Sequence, residues 1–175
     1  MSELRLQGLP PVFDARARVL VLGSFPGVAS LRAAQYYAHP RNAFWPVMEA
    51  LLSETGLAAR PYAERLEVLR DHGVALWDAV ASCERTGSLD AAITEAAPSD
   101  LAALQRQLPA LRVIACNGAL AHRETLAVQR LRGNPGLPLL RLPSTSPAHA
   151  SLGLAHKIDQ WLRALAPYLC NGPGG

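Results

Sequence analysis

Short solid apolar runs alternate along this chain with stretches whose apolar positions recur at helical spacing. Arg18-Val19-Leu20-Val21-Leu22-Gly23 is such a run, ended by glycine, and suits a strand buried on both faces. Ala43 to Ser53, with Phe44, Val47, Met48, Leu51 and Leu52, predicts a helix, and Tyr62 to Asp71 predicts a second that stops at His72-Gly73. Val74 to Trp77 reads as the next strand. A loop from Asp78 through Ala97 then leads to Pro98-Ser99-Asp100, a helix start for Leu101 to Leu108. Val113 to Cys116 predicts a third strand, the turn Asn117-Gly118 opens a helix carrying Leu120, Leu126 and Leu131, and Asn134-Pro135-Gly136 reads as a loop. Leu139 to Leu142 is the fourth strand and Leu154 to Leu165 the closing helix. Strands separated by helices imply right-handed crossovers and a mostly parallel sheet covered on both faces.

Length and composition narrow the class. With 175 residues, 50% hydrophobic and 18% charged, the chain is expected to form one domain over residues 1–170, followed by a flexible tail, 171–175, rich in glycine. No apolar run approaches a membrane span and the opening residues lack a signal-peptide pattern, so a soluble cytoplasmic protein, a monomer without membrane contact, is expected. Cys83, Cys116 and Cys170 are too far apart for a C-x-x-C site and read as reduced thiols; no cluster has metal-ligand spacing, so neither metal nor other cofactor is expected. The net charge is +3, and of 17 basic residues only Lys157 is lysine. Arginine bias fits phosphate contact as well as it fits codon usage, so charge does not decide.

In parallel sheets ligands bind beyond the carboxyl ends of the strands, and the unusual segments fall there. Gly23-Ser24-Phe25-Pro26-Gly27 lacks the spacing of a dinucleotide or triphosphate cradle, which leaves a tight turn or a close backbone approach to a ligand. The twenty residues from Gly23 to Asn42 make a long connection, read as a loop holding Gln35, Tyr36, Tyr37, His39, Arg41 and Asn42. Rings beside amide and guanidinium groups suit stacking on a base and gripping a phosphate. The plainer reading makes Asn42 a helix cap and the tyrosines packing residues. Asn117-Gly118 reads most simply as a turn with a helix cap.

Four stretches carry a resemblance: Gly23 to Gly27; Gln35 to Trp45, with His39-Pro40-Arg41-Asn42 inside it; Leu76-Trp77-Asp78 with Ser82 to Arg85; and Leu142 to Ala148. In this order they resemble the uracil-DNA glycosylase superfamily. The nearest branch is the deoxyinosine (hypoxanthine) DNA glycosylases, and the mismatch-specific glycosylases come next. The resemblance implies a three-layer α/β/α sandwich around a four-stranded parallel sheet. It also implies hydrolysis of the N-glycosidic bond of a deaminated base flipped out of DNA, hypoxanthine first, then uracil or xanthine, leaving an abasic site.

The same resemblance suggests roles. Where many members hold the attacking water with a carboxylate or amide, this chain has Phe25; the nearest branch gives that task to the residue matching Asn42, which positions water but cannot deprotonate it. Backbone N–H groups of Ser24 and Phe25 are candidate donors to the departing base. Tyr37 and Phe44 are the expected base-contacting rings, and Asp78, where relatives read the base, is expected to accept its N–H. Ser144, Thr145, Ser146, His149 and Arg41 are the expected DNA contacts. Lys157 is expected to lie away from these loops, so cleavage through a Schiff base is not expected. Two other readings remain, a noncatalytic nucleic-acid or nucleotide binding module of this fold and a serine hydrolase using Ser144 and His149; the latter lacks a nucleophile elbow.

Overall fold

The computed structural model describes residues 4–131 and 136–169; the Asn134-Pro135 turn, Cys170 and the 171–175 tail lie outside them. The central sheet holds β2 (Val19–Gly23), β3 (Val74–Asp78), β6 (Val113–Asn117) and β7 (Leu139–Leu142), all parallel in the order β3-β2-β6-β7. Alternation of side chains along each strand feeds two cores. Val19, Val21, Val74, Leu76, Val113 and Ala115 pack beneath α2 (Phe44–Leu52), α3 (Tyr62–Asp71) and α6 (Leu154–Leu169). Leu20, Leu22, Ala75, Ile114 and Cys116 face α4 (Leu101–Arg106) and α5 (Ala119–Leu131). The sheet is thus sandwiched between helices, as expected, and no helix among the described residues is long and apolar enough to cross a membrane.

Two expected loops are structured. The connection after β2 contains a short helix, α1 (Val28–Ala33), whose end turns through Ala34 in the left-handed region. The segment after β3 is not a loop: β4 (Val80–Glu84) pairs antiparallel with β1 (Leu6–Gln7) and with β5 (Thr94–Pro98), making a second, three-stranded sheet. β5 is mostly exposed, alanine-rich and ended by proline, so it carries no apolar alternation for a sequence reading to find. Between β4 and β5, residues 85–93 form an arm with a single 3-10 turn, Asp90–Ala92.

Candidate active site

The carboxyl ends of the parallel strands open into a cavity of about 550 Å³, lined by Ser24, Phe25, Tyr37, Asn42, Asp78, Asp90, Asn117 and the loop from Ser144 to His149. That volume suits a small organic ligand such as a nucleotide base with its sugar.

Its floor is formed where β2 and β3 end side by side, Gly23 opposite Asp78. A Cβ on Gly23 would lie 2.4 Å from Asp78 Oδ1 and 3.2 Å from the Tyr37 hydroxyl, so glycine is what allows the carboxyl and the phenol to converge. Asp78 is 5% exposed and its Oδ2 has no hydrogen-bond partner among the described residues. Burial pushes its carboxyl up to about 7, the Asp90 charge adding to the shift and Arg85 opposing it. The backbone there is locked, since Ser99 Oγ donates to Asp78 O at 2.7 Å and Ala79 N donates to Gly23 O at 2.8 Å. Asp78 makes no ion pair with Arg85, which donates to Pro26 O and lies 5.1 Å from the centre of the Phe25 ring.

Tyr37 has a positive φ of 55°, a conformation that a bulky residue holds only when its neighbours impose it. They do: Tyr36 N donates to the Tyr62 hydroxyl, Ala38 N to Ser30 Oγ, and the Tyr37 ring stacks on Phe44 at 3.9 Å. Burial and the Asp78 charge push the Tyr37 phenol far above its ordinary range, the Asn117 amide opposing, so it stays a neutral hydroxyl. Phe44 is fully buried and reaches the site only through Tyr37. The expected direct base contact by Phe44 is therefore corrected to support of the ring that lines the wall.

Asn42 lines the cavity, and its Oδ1 accepts from Phe44 N at 2.9 Å in a local turn one residue before Ala43, which takes the N-cap position expected of Asn42. That bond takes one of the two lone pairs of the amide oxygen, and the NH2 group is a further donor for the cavity. Ala43 N donates to Thr145 O at 2.9 Å, which joins the Asn42 segment to the last loop. That loop is held along its length. Trp161 Nε1 donates to Pro143 O at 2.9 Å, and the Asn117 amide makes two bonds of 2.9 Å with Thr145, one from Nδ2 to Oγ1 and one from Thr145 N to Oδ1.

Lys157, expected to lie away from the loops, donates from Nζ to His149 O at 2.9 Å and is 4% exposed. One turn into α6 its long stem reaches back to the loop, a placement that spacing along the chain does not show. Ser144 and Ser146 are half-buried at the wall and His149 is exposed at the rim. Arg41 is exposed and stands outside the cavity lining, with its backbone N donating to His39 Nδ1 at 3.1 Å.

Phe25 is 6% exposed and packs with Val80 and Cys83, so its ring is a hydrophobic support of the first loop. Ser24 Oγ donates to Asp90 Oδ1 at 2.6 Å. Asp90 is a polar group of the site that the sequence reading left out, and Asn117 and Lys157 are two that it placed elsewhere. Asn117 follows the apolar run of β6 and so carried a signal, a polar side chain at the carboxyl end of a buried strand. The other two arrive through the arm and α6, and nothing local marks them.

Residues 10–169 match the Uracil DNA glycosylase superfamily. A hypoxanthine DNA glycosylase of Methanosarcina barkeri (strain Fusaro / DSM 804) is 36% identical over 115 residues, 66% of this chain and 72% of the relative. One of Methanosarcina acetivorans is 33% identical over 143 residues, 82% of this chain and 87% of the relative. The fold is similar to a solution NMR structure of a candidate uracil DNA glycosylase from Methanosarcina acetivorans, with a TM-score of 0.76 and 29% identity over 91% of this chain and 98% of that one. With a match spanning nearly its whole length and the parallel sheet to go with it, this chain belongs to the uracil DNA glycosylase superfamily.

Proposed function

We propose that this DNA glycosylase removes deaminated bases, hypoxanthine foremost, with Asp78 reading the base and Asn42 holding the water. The observation that carries the reading is the Asp78 carboxyl itself, buried, unpaired at Oδ2 and facing Tyr37 across the space left by Gly23. A buried polar group without a partner is costly unless a ligand supplies one.

Hypoxanthine, xanthine and uracil each present an N–H beside a carbonyl. A neutral carboxylic acid offers an O–H donor and a C=O acceptor side by side, which matches that edge with two hydrogen bonds. An ionised carboxylate would only accept, and its charge would oppose a base leaving with the bonding electron pair. The raised pKa favours the neutral form. As the C1′–N bond breaks, the pair goes to the base and positive charge grows on the sugar; water then adds to C1′, and the proton it loses is taken up by the base anion. Asn42 orients that water, and the backbone N–H groups of Ser24 and Phe25 are the donors offered to the departing base. Tyr37 forms the wall against the base, and Ser144, Ser146 and His149 meet the phosphates, while Thr145, expected to do so, is 1% exposed and bonded to Asn117 and instead holds the loop. The protein is read as a cytoplasmic monomer that acts on DNA.

The test is excision from an oligonucleotide carrying one hypoxanthine, developed with alkali. Wild type leaves abasic sites, while Asn42→Ala loses at least about 100-fold in single-turnover rate and still binds abasic DNA. Full-rate excision by the variant returns Asn42 to that local turn alone. A wild type that binds lesion DNA and never excises shows a binding module. With borohydride no protein–DNA adduct forms; a trapped adduct overturns simple hydrolysis.

A further inference from the structure

A neutral carboxylic acid cannot by itself tell hypoxanthine from adenine. Its two oxygens differ only in which one carries the proton. With the proton on one oxygen it pairs with the N–H and carbonyl of the deaminated base, and with the proton on the other it pairs equally well with the ring nitrogen and amino group of adenine. Base reading by Asp78 therefore requires a group that fixes the proton.

The floor of the cavity holds such a group in the Tyr37 hydroxyl. Like Asp78 Oδ2, it is buried and has no partner of hydrogen-bond geometry among the described residues. It lies with Asp78 Oδ1 against the bare face of Gly23, 3.2 Å from where a Cβ would stand. Its place is imposed at a cost, with the backbone in the left-handed region at φ 55° and the ring held on buried Phe44 at 3.9 Å. Strain and an unmet polar group at one residue are what a fold keeps where that residue works.

The Asn117 amide bears on the phenol from β6, and its orientation is fixed. Thr145 N can only donate, so the atom it meets at 2.9 Å is Oδ1, and the NH2 is the group that donates to Thr145 Oγ1. One hydrogen of that NH2 remains, and the amide opposes the rise of the Tyr37 phenol as a donor beside its oxygen does. A phenol oxygen that faces a donor turns its own O–H the other way, toward Asp78 Oδ1.

We propose that Tyr37 is a specificity-determining residue that acts through Asp78: its hydroxyl donates to Oδ1, so the acid proton stays on Oδ2 and is offered to a base carbonyl. An amino group in the carbonyl's place meets that proton donor to donor. The bond from Tyr37 closes as the base fills the floor, since hydrogen bonds of a site tighten on binding. The proposal rests on the reading of Asp78 given above and adds the hydroxyl that gives it a direction.

The experiment measures binding, because adenine leaves less readily than hypoxanthine and a rate mixes leaving ability with recognition. Single-stranded oligonucleotides carry one 2′-fluoro-2′-deoxyinosine or one 2′-fluoro-2′-deoxyadenosine among thymidines; the fluorine resists cleavage and the single strand removes the cost of unpairing. Wild type is expected to prefer the inosine strand by at least about tenfold, and Tyr37→Phe, which keeps the ring and its stack, to bring the preference within about threefold while binding the adenine strand more tightly than wild type does. Lost packing weakens both strands alike, so a preference that survives in Tyr37→Phe overturns the proposal and leaves the Asp78 reading standing on hypoxanthine excision and its pH profile. A preference lost through weaker inosine binding alone also overturns it, since the hydroxyl then contacts the base and not Asp78. A wild type that binds both strands alike overturns the proposal together with base reading by Asp78, and hypoxanthine excision decides the glycosylase reading separately.

Discussion

Asp78 and Leu89 lie on one connection, yet the first is 5% exposed at the end of a parallel strand and the second 60% exposed on the arm of the small antiparallel sheet. The floor around Asp78 is rigid because β2 and β3 fix its backbone and Ser99 locks its carbonyl, so the sheet bears the cost of burying an unpaired carboxyl. The mouth around Leu89 rests only on the small Phe25, Val80 and Cys83 cluster, through Ile93, and is tied to the first loop by side-chain hydrogen bonds. The deep region therefore suits chemistry and base recognition, where small misplacements are expensive, and the outer region suits contact with a deformable duplex.

That contrast can be broken most severely at Gly23. Gly23→Ala places a methyl group against Asp78 and Tyr37 and is expected to lower excision by at least about 100-fold on single and double strands alike. A rate within a few fold of wild type shows that the two groups need not converge. The mouth is gentler to perturb. Ser24→Ala removes the tie to Asp90 and is expected to lower duplex excision about threefold to tenfold, with the single-strand rate nearly unchanged. Equal loss on both substrates places the Ser24 hydroxyl in the chemistry of the floor.

Much of the floor was readable from sequence because buried parallel strands announce themselves. The apolar runs located all four strands to within about a residue, and the segments after them did gather Asn42, Asp78 and Thr145. The arm was not readable. β4 and β5 look like loop residues because their pairing partners lie in each other and in Leu6–Gln7, far away in the chain, and β5 has an exposed face with no pattern. Phe44 looked like a base contact since its type suits stacking, whereas packing onto Tyr37 buries it completely. Lys157 looked remote since neighbours in space were judged by position along the chain, and a lysine stem spans the gap to His149.

Single-turnover excision of hypoxanthine as a function of pH, for wild type and Asp78→Asn, shows whether neutral Asp78 meets the base. With a carboxyl raised to about 7, the active form is populated below that pH, so the wild-type rate is expected to be level in mildly acidic buffer and to fall about tenfold per unit above it. An amide mimics the neutral acid at every pH. Asp78→Asn is therefore expected to lack the fall and to overtake wild type in alkaline buffer. The same burial makes the ionised form costly to the fold. Wild-type stability should decline between the unfolded value of 3.8 and about 7, so the melting temperature of Asp78→Asn should exceed wild type at pH values above that window and converge with it below. A wild-type rate that is flat across neutrality, or an Asp78→Asn profile with the same fall, means that the Asp78 carboxyl does not meet the base in its neutral form.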